Sequence, residues 1–308
     1  MTGLPRRIAA VGAGRMGRGI ALAFAYGGYE VALIDLKART AADWATLRDE
    51  AQAEMHANLA MLAELDAMPR DAIARVLGRI RLVSEPEAPG ALADAEVVFE
   101  GVPETFAAKQ DALTRLCALI PGEAILASTT STILPGDLAA FATYPERLLN
   151  AHWLNPAFVI PLVELSAHAT TAPAAIARLR GLLEDIGKIP VLCAASPGYI
   201  VPRLQALVMN EAARMVEEGV ASPEDIDRAT RYGLGLRFAA LGVIEFIDYG
   251  GNDILFYASR YLAERLSRER YQVPAIVERL MREGRNGLRS GEGFYDYRDR
   301  DVQAYRRD

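Results

Sequence analysis

Covalent and metal chemistry have little to draw on in this chain of 308 residues, which has two cysteines and three histidines. Cys117 and Cys193 are too few for a disulfide framework. They suit a reducing compartment, where isolated thiols are usually small core hydrophobes. No metal site is expected. Positive charge is short as well: 34 Lys and Arg face 40 Asp and Glu, giving a net charge of -6. Phosphate backbones are bound by basic faces, so nucleic acid is excluded as a partner. No apolar run approaches membrane-spanning length, and the opening stretch Met1 to Arg7 has no signal-peptide core. These absences leave a cytoplasmic protein that acts on a small molecule. A hydrophobic fraction of 51% and a charged fraction of 24% are those of an ordinary globular protein.

What is present begins near the N-terminus. Arg7 to Val11 reads as a short buried strand, followed by Gly12-Ala13-Gly14-Arg15-Met16-Gly17 and a helix ending at Tyr26. Gly27-Gly28 stops that helix, and Glu30 to Asp35 reads as a second strand. A G-x-G-x-x-G pattern alone is weak evidence, but a strand before it and a helix after it supply the required context. Gly12 permits a tight turn, Gly14 lets a pyrophosphate approach the backbone, and Gly17 lets the helix pack on the sheet. The helix N-terminus then presents unpaired N–H groups to phosphate. Asp35 ends the second strand, where a carboxylate can bond both hydroxyls of an adenosine ribose and repel a 2'-phosphate. NAD is therefore the expected cofactor, with Lys37 and Arg39 just beyond softening the preference over NADP.

His152 closes an apolar run, and Glu164, twelve residues on, interrupts another. If the runs are neighbouring strands, the carboxylate can fix the imidazole tautomer and leave the other ring nitrogen to move a proton. The two residues alone read equally as a core histidine beside a solvated glutamate. Glu104 follows the strand ending near Glu100, with Lys109 one helical turn on. These two fit either a ligand contact at the carboxyl edge of a sheet or a solvated helix pair. The polar run Ser128 to Thr132 follows another strand at the same edge, and reads as hydroxyls for a ligand or as a capped loop.

Strands alternating with helices predict an α/β fold with a doubly wound, mostly parallel sheet. Ser196-Pro197-Gly198 punctuates the chain, and almost everything after it has helical character. The predicted division is residues 1–192, carrying a helical hairpin insertion at about 40–78, and an all-α domain over 193–308. Wide apolar faces in that second part predict a homodimer.

With these motifs in order, the chain resembles the L-3-hydroxyacyl-CoA dehydrogenases. The likeness includes Val102-Pro103-Glu104, Ser128 to Thr132, His152-x-x-Asn155-Pro156, Pro197-Gly198-Tyr199, Asn210-Glu211 and Ser290-Gly291-Glu292-Gly293-Phe294-Tyr295. It implies a Rossmann-like N-terminal domain, a helical dimerisation domain and reversible, NAD-dependent oxidation of a short 3-hydroxyacyl-CoA such as 3-hydroxybutyryl-CoA. By the same resemblance, His152 is the general base and Glu164 its orienting partner. Ser131 holds the substrate oxygen, and Asn155 stands beside the histidine. Glu104 and Lys109 contact the cofactor, as does Arg289 from the second domain.

Two departures stand out. Where the family usually has an asparagine after Gly-Phe-Ile-Val, this chain has Pro202, which supplies neither an amide side chain nor an N–H. Asn155 or Gln205 is then the candidate replacement. The stretch Asp43 to Met68, which helps bind coenzyme A in the family, carries one arginine, Arg48, among six acidic residues. That composition, with Trp153 in the histidine motif, keeps a free hydroxy acid or a related alcohol open as substrate, with Arg203 or Arg237 as a carboxylate clamp. A cofactor-binding structural protein with an inactive site is a third reading.

Overall fold

A computed structural model describes residues 7–305; the leader expectation for Met1 to Arg6 concerns residues outside that range. Contacts divide the chain into two compact units, one up to Val208 and one from Met209 onward.

The first unit is Rossmann-like. Its strands are β1 (Arg7–Val11), β2 (Glu30–Ile34), β3 (Ile80–Val83), β4 (Val97–Glu100), β5 (Ile125–Ser128), β6 (Leu148–Trp153), β7 (Leu162–Ala167) and β8 (Ile189–Ala194). They form one sheet in the order β3-β2-β1-β4-β5-β6-β7-β8. The helices are α1 (Arg15–Tyr26), α2 (Ala41–Glu64), α3 (Ala72–Gly78), α4 (Ala88–Leu92), α5 (Phe106–Leu119), α6 (Pro135–Ala139) and α7 (Pro173–Asp185), with the start of α8 (Val201–Glu217). Strands β1 to β6 run parallel, each joined to the next by a crossover too long for a hairpin. Residues 154–161 form a short connection, so β7 turns back antiparallel on β6, and β8 pairs parallel with β7. The α7–β8 segment has no counterpart in the sequence expectations.

The order reverses between β1 and β4. In open α/β sheets that switch point opens a crevice at the carboxyl ends of the strands. Apolar residues fill both faces of the sheet. On one face Phe24, Phe99 and Trp153 pack with ring centroids 5.3 to 6.1 Å apart. Each such pair is worth about 0.5–1.5 kcal/mol beyond its burial. On the other face Val11, Val98, Leu113, Leu126 and Leu148 form a second cluster.

Contacts divide the chain at 208/209, beyond the expected 192/193. The reason is local: the segment entering α8 is bonded back into the sheet unit through Glu164, Asn150 and Thr130. The second unit, from Met209, is helical as expected. It completes α8 and adds α9 (Pro223–Ala229), a π-helical turn over Thr230–Gly235, α10 (Leu236–Ala240), α11 (Val243–Gly250), α12 (Asn252–Arg265), α13 (Arg268–Tyr271), α14 (Ala275–Arg282) and α15 (Val302–Tyr305). Asp248 anchors its C-terminal loop, its carboxylate accepting the N–H groups of Phe294 and Tyr295 at 3.0 and 2.8 Å. Among the described residues no helix is long and apolar enough to cross a membrane.

Candidate active site

The glycine loop joins β1 to α1 at the switch point. Gly12 has φ +101°, a conformation that side chains disfavour. A Cβ on Gly12 would lie 2.6 Å from the carbonyl of Gly101, and one on Gly17 would lie 2.0 Å from the carbonyl of Gly12. Gly14 differs: a Cβ there would meet nothing within 4 Å. The protein itself therefore does not require glycine at 14, whereas a ligand lying against the loop would. Gly14 is also the N-cap of α1 and makes no side-chain cap, so first-turn N–H groups stay available to an anion. Ala13 is buried and Met16 half-buried, while Arg15 is exposed. A cleft of about 800 Å³ opens here, lined by Gly12, Gly14, Asp35, Lys37, Gly101 and Arg115 among others.

Asp35 lies buried at the end of β2 and pairs through Oδ2 with the Nε of Arg39. Arg39 therefore balances the carboxylate expected to select the ribose. Arg18, which the sequence did not single out, donates to the carbonyl of Ala13 at 2.9 Å and pairs with Glu54 of α2.

Glu104 and Lys109 do not form a solvated pair. The Lys109 side chain is 1% exposed and sits between two carboxylates, Glu100 at 3.1 Å and Glu104 at 3.3 Å. Ser128 adds a 2.6 Å hydrogen bond to Glu100. The other oxygen of Glu104, Oε1, gathers the loop after β5. It accepts the N–H groups of Ser131 and Thr132 at 2.9 and 3.1 Å, the Thr132 hydroxyl at 2.9 Å and the Thr130 hydroxyl. Burial alone would raise the Glu104 carboxyl. The hydrogen bond from Thr130, the charge of Lys109 and the remaining loop bonds outweigh it and hold the group below its ordinary value. Ser131 is thus presented at the sheet edge on a loop that Glu104 organises.

His152 and Glu164 are direct cross-strand neighbours on β6 and β7. Nδ1 of His152 lies 2.8 Å from Oε2 of Glu164. A carboxylate only accepts, so the proton resides on Nδ1 and the lone pair on Nε2. Nε2 makes no hydrogen bond to the described residues. Oε1 of Glu164 accepts the N–H groups of Ile200 at 2.9 Å and Val201 at 2.8 Å, at the entrance to α8. Pro202 falls in the first turn of that helix, where its missing N–H costs nothing.

Asn155 is exposed and its side chain makes no hydrogen bond to the described residues, so the structure does not place it on His152. Trp153 is 1% exposed and packs in the aromatic core on the face opposite His152. It does not reach the site as a substrate selector. Arg203 is exposed on α8. In the second unit, Arg237 lies over the Phe246 ring at 5.5 Å and Arg289 pairs with Asp253 at 2.5 Å.

Three neighbours were given no role by the sequence. Tyr199 stacks on His152 with ring centroids 5.0 Å apart and planes within 5°. Asn150 donates to the Tyr199 hydroxyl at 2.9 Å and to the carbonyl of Ile133 at 2.8 Å. Lys188, at the entrance to β8, donates to the carbonyls of Ala157 and Ile160 at 2.7 and 2.8 Å, holding the loop between His152 and Glu164. Period-two alternation from His152 points to Asn150; Tyr199 and Lys188 have no local signal.

Known proteins resemble this chain along most of its length. Residues 7–196 match the family model of the 3-hydroxyacyl-CoA dehydrogenase NAD binding domain, and residues 198–297 that of the 3-hydroxyacyl-CoA dehydrogenase C-terminal domain. The 5-formyl-3-hydroxy-2-methylpyridine 4-carboxylate 5-dehydrogenase of Mesorhizobium japonicum is 32% identical over 302 residues, covering 97% of this chain and 93% of the relative. The 3-hydroxybutyryl-CoA dehydrogenase of Bradyrhizobium diazoefficiens is 31% identical over 97% of each chain. A solved 3-hydroxyacyl-CoA dehydrogenase from Archaeoglobus fulgidus superposes with a TM-score of 0.76 at 31% identity, covering 98% of this chain and 94% of that one. The cleft at the glycine loop belongs to an NAD-binding domain.

Proposed function

This chain belongs to the 3-hydroxyacyl-CoA dehydrogenase family, and from that premise we propose that it reversibly oxidises a short 3-hydroxyacyl-CoA to the 3-oxoacyl-CoA. The observation that carries the reading is the 2.8 Å His152–Glu164 pair on the same sheet edge as the glycine loop. The glycine loop, Asp35 and the α1 N-terminus would hold the dinucleotide, with Glu104 and Lys109 assigned to its further contacts. When bound, the nicotinamide ring takes up or returns a hydride. Nε2 of His152 removes the proton of the substrate hydroxyl as its C3 hydrogen leaves. Glu164 stabilises the imidazolium that results and keeps its ring in place. The Ser131 hydroxyl donates to the substrate oxygen. In the reverse direction protonated His152 polarises the carbonyl and returns the proton.

A specific observation favours a second substrate class. Arg48, the single arginine of the acidic α2 stretch, is paired with its neighbour Asp49 at 3.0 Å, so that helix offers little positive charge to the phosphates of coenzyme A. A free hydroxy acid or pyridine-carboxylate alcohol needs no such platform. NADH oxidation with acetoacetyl-CoA, compared with free acetoacetate and a pyridine-carboxylate aldehyde, separates the two. Turnover of the thioester supports the first reading, and turnover of free acids alone removes it.

We further propose a cytoplasmic homodimer formed through the second unit, where Tyr232, Leu236, Ile254 and Tyr257 are each more than 60% exposed. Light scattering on the purified protein tests the oligomer: a monomer at micromolar concentration overturns it.

A further inference from the structure

Between Gly198 and Val201 the chain makes an unusual entry into α8. Gly198 has φ +76° and Tyr199 has φ +45°, so a residue with a bulky side chain sits in the left-handed region. Such strain persists where surrounding contacts over-determine the conformation. Here the contacts are plain. The Tyr199 side chain is buried, its ring lies flat on the His152 imidazole, and its hydroxyl donates to the carbonyl of Thr130 at 2.9 Å while accepting from Asn150. Thr130 immediately precedes Ser131, and Asn150 lies two residues before His152 on the same face of β6.

We propose that Tyr199 is a positioning residue for proton transfer: its ring fixes the plane of the His152 imidazole and favours the protonated form, and its hydroxyl locks the Ser131 loop to the strand that carries His152. The electron-rich face of a phenol attracts a cation more than a neutral ring, which gives the stack its direction. The titratable groups around this ring pair are Glu164 on β7, Glu104 on the loop after β4 and Cys193 on β8. Glu164 acts on the edge of the imidazole through Nδ1, whereas Tyr199 acts on its face, so the two effects are separable by substitution.

The inference rests on His152 being the proton carrier, and the titration arm of its test does not depend on knowing the substrate. Full-length protein with isotope-labelled histidine rings is titrated by NMR, the three histidines being assigned with His152→Gln. Tyr199→Phe keeps the ring and should leave the His152 titration in place. Tyr199→Leu removes the face and should move it to lower pH by about half a unit or more. Tyr199→Met replaces the leucine variant if that does not fold. With an active substrate, Tyr199→Phe should lower kcat/KM about fivefold or more through the freed loop, with KM for NADH unchanged. An unmoved titration in the leucine or methionine variant overturns the proposal, as does full activity in Tyr199→Phe. Inactivity of the wild type toward every probe, with the titration shift present, would instead count against the dehydrogenase reading and support this one.

Discussion

Glu164 divides its two oxygens between His152 and the start of α8: Oε2 faces Nδ1 of His152 at 2.8 Å, and Oε1 takes two backbone N–H groups. All three partners are donors, so only a carboxylate satisfies them together. In Glu164→Gln the amide NH₂ must face either the imidazole N–H or the N–H groups of Ile200 and Val201. The wrong tautomer or a tilted ring follows. Turnover should fall by about 10²–10⁴-fold, with NADH affinity kept. Steady-state kinetics beside NADH titration check this; a variant within threefold of wild type would remove Glu164 from the relay.

Gly14→Ala separates fold from cofactor. Its Cβ meets no protein atom within 4 Å. The apo-protein should unfold within about 1 kcal/mol of wild type, the residual cost being that of alanine at an N-cap. NADH binding should weaken roughly tenfold or more, because the methyl group meets the pyrophosphate. Gly17→Ala is the control, since its Cβ would strike the Gly12 carbonyl at 2.0 Å and should destabilise the apo-protein itself. Thermal melts and NADH fluorescence titration read the two effects. Unchanged NADH binding in Gly14→Ala would place the dinucleotide elsewhere.

Glu104 contributes acid-sensitive stability. Its carboxyl is held below the ordinary value of 4.5, so the folded state favours its ionised form. That contribution is complete above the unfolded value and is lost as pH falls through the folded one. Glu104→Gln keeps an acceptor for the Ser131 loop and removes the charge beside Lys109. Its melting temperature should lie below wild type near neutral pH, with the gap closing as the pH falls below about 4. A gap that stays constant across this window would show that charge is irrelevant there.

Lys188→Met keeps an apolar stem and removes the ammonium that spans the carbonyls of Ala157 and Ile160. Burial already lowers the proton affinity of this lysine. One buried and one part-buried carbonyl lose their donor, at a cost of about 2–4 kcal/mol in urea unfolding. With the loop between the relay strands loosened, kcat should fall while KM for NADH holds. A parallel loss of NADH affinity would show damage spreading beyond that loop.

The parts of this fold that local pattern encodes are legible in the sequence. Gly12, Gly14 and Gly17 lie within one strand-turn-helix unit, where each glycine answers a nearby steric demand. His152 and Glu164 are legible as a pair because one closes and the other interrupts two short apolar runs that a single connection joins. Harder features depended on distant chain segments. Lys109 reads as the helical partner of Glu104, but Glu100 faces it from a strand end. Trp153 is adjacent to His152 in sequence, yet alternation sends it to the opposite face and into the Phe24–Phe99 core. Tyr199 reaches His152 from 47 residues away through a turn with left-handed backbone at two successive positions. Neither hydropathy nor spacing announces such a contact.

The single reversal of strand direction, between β6 and β7, carries a consequence for how this chain can change. The acid/base pair is a rung of an antiparallel ladder, so its spacing comes from the sheet rather than from the loop that joins the strands. A change of length within residues 154–161 leaves the rung in register, although it disturbs the loop that Lys188 holds. One residue removed between Leu162 and Glu164 cannot be absorbed in the same way. Side chains alternate along a strand, and a one-residue slip would carry the carboxylate through the sheet to the opposite face. Insertions and deletions before Leu162 should therefore lower activity only in part, and those between Leu162 and Glu164 abolish it, a frame-like rule written in pleats rather than in codons.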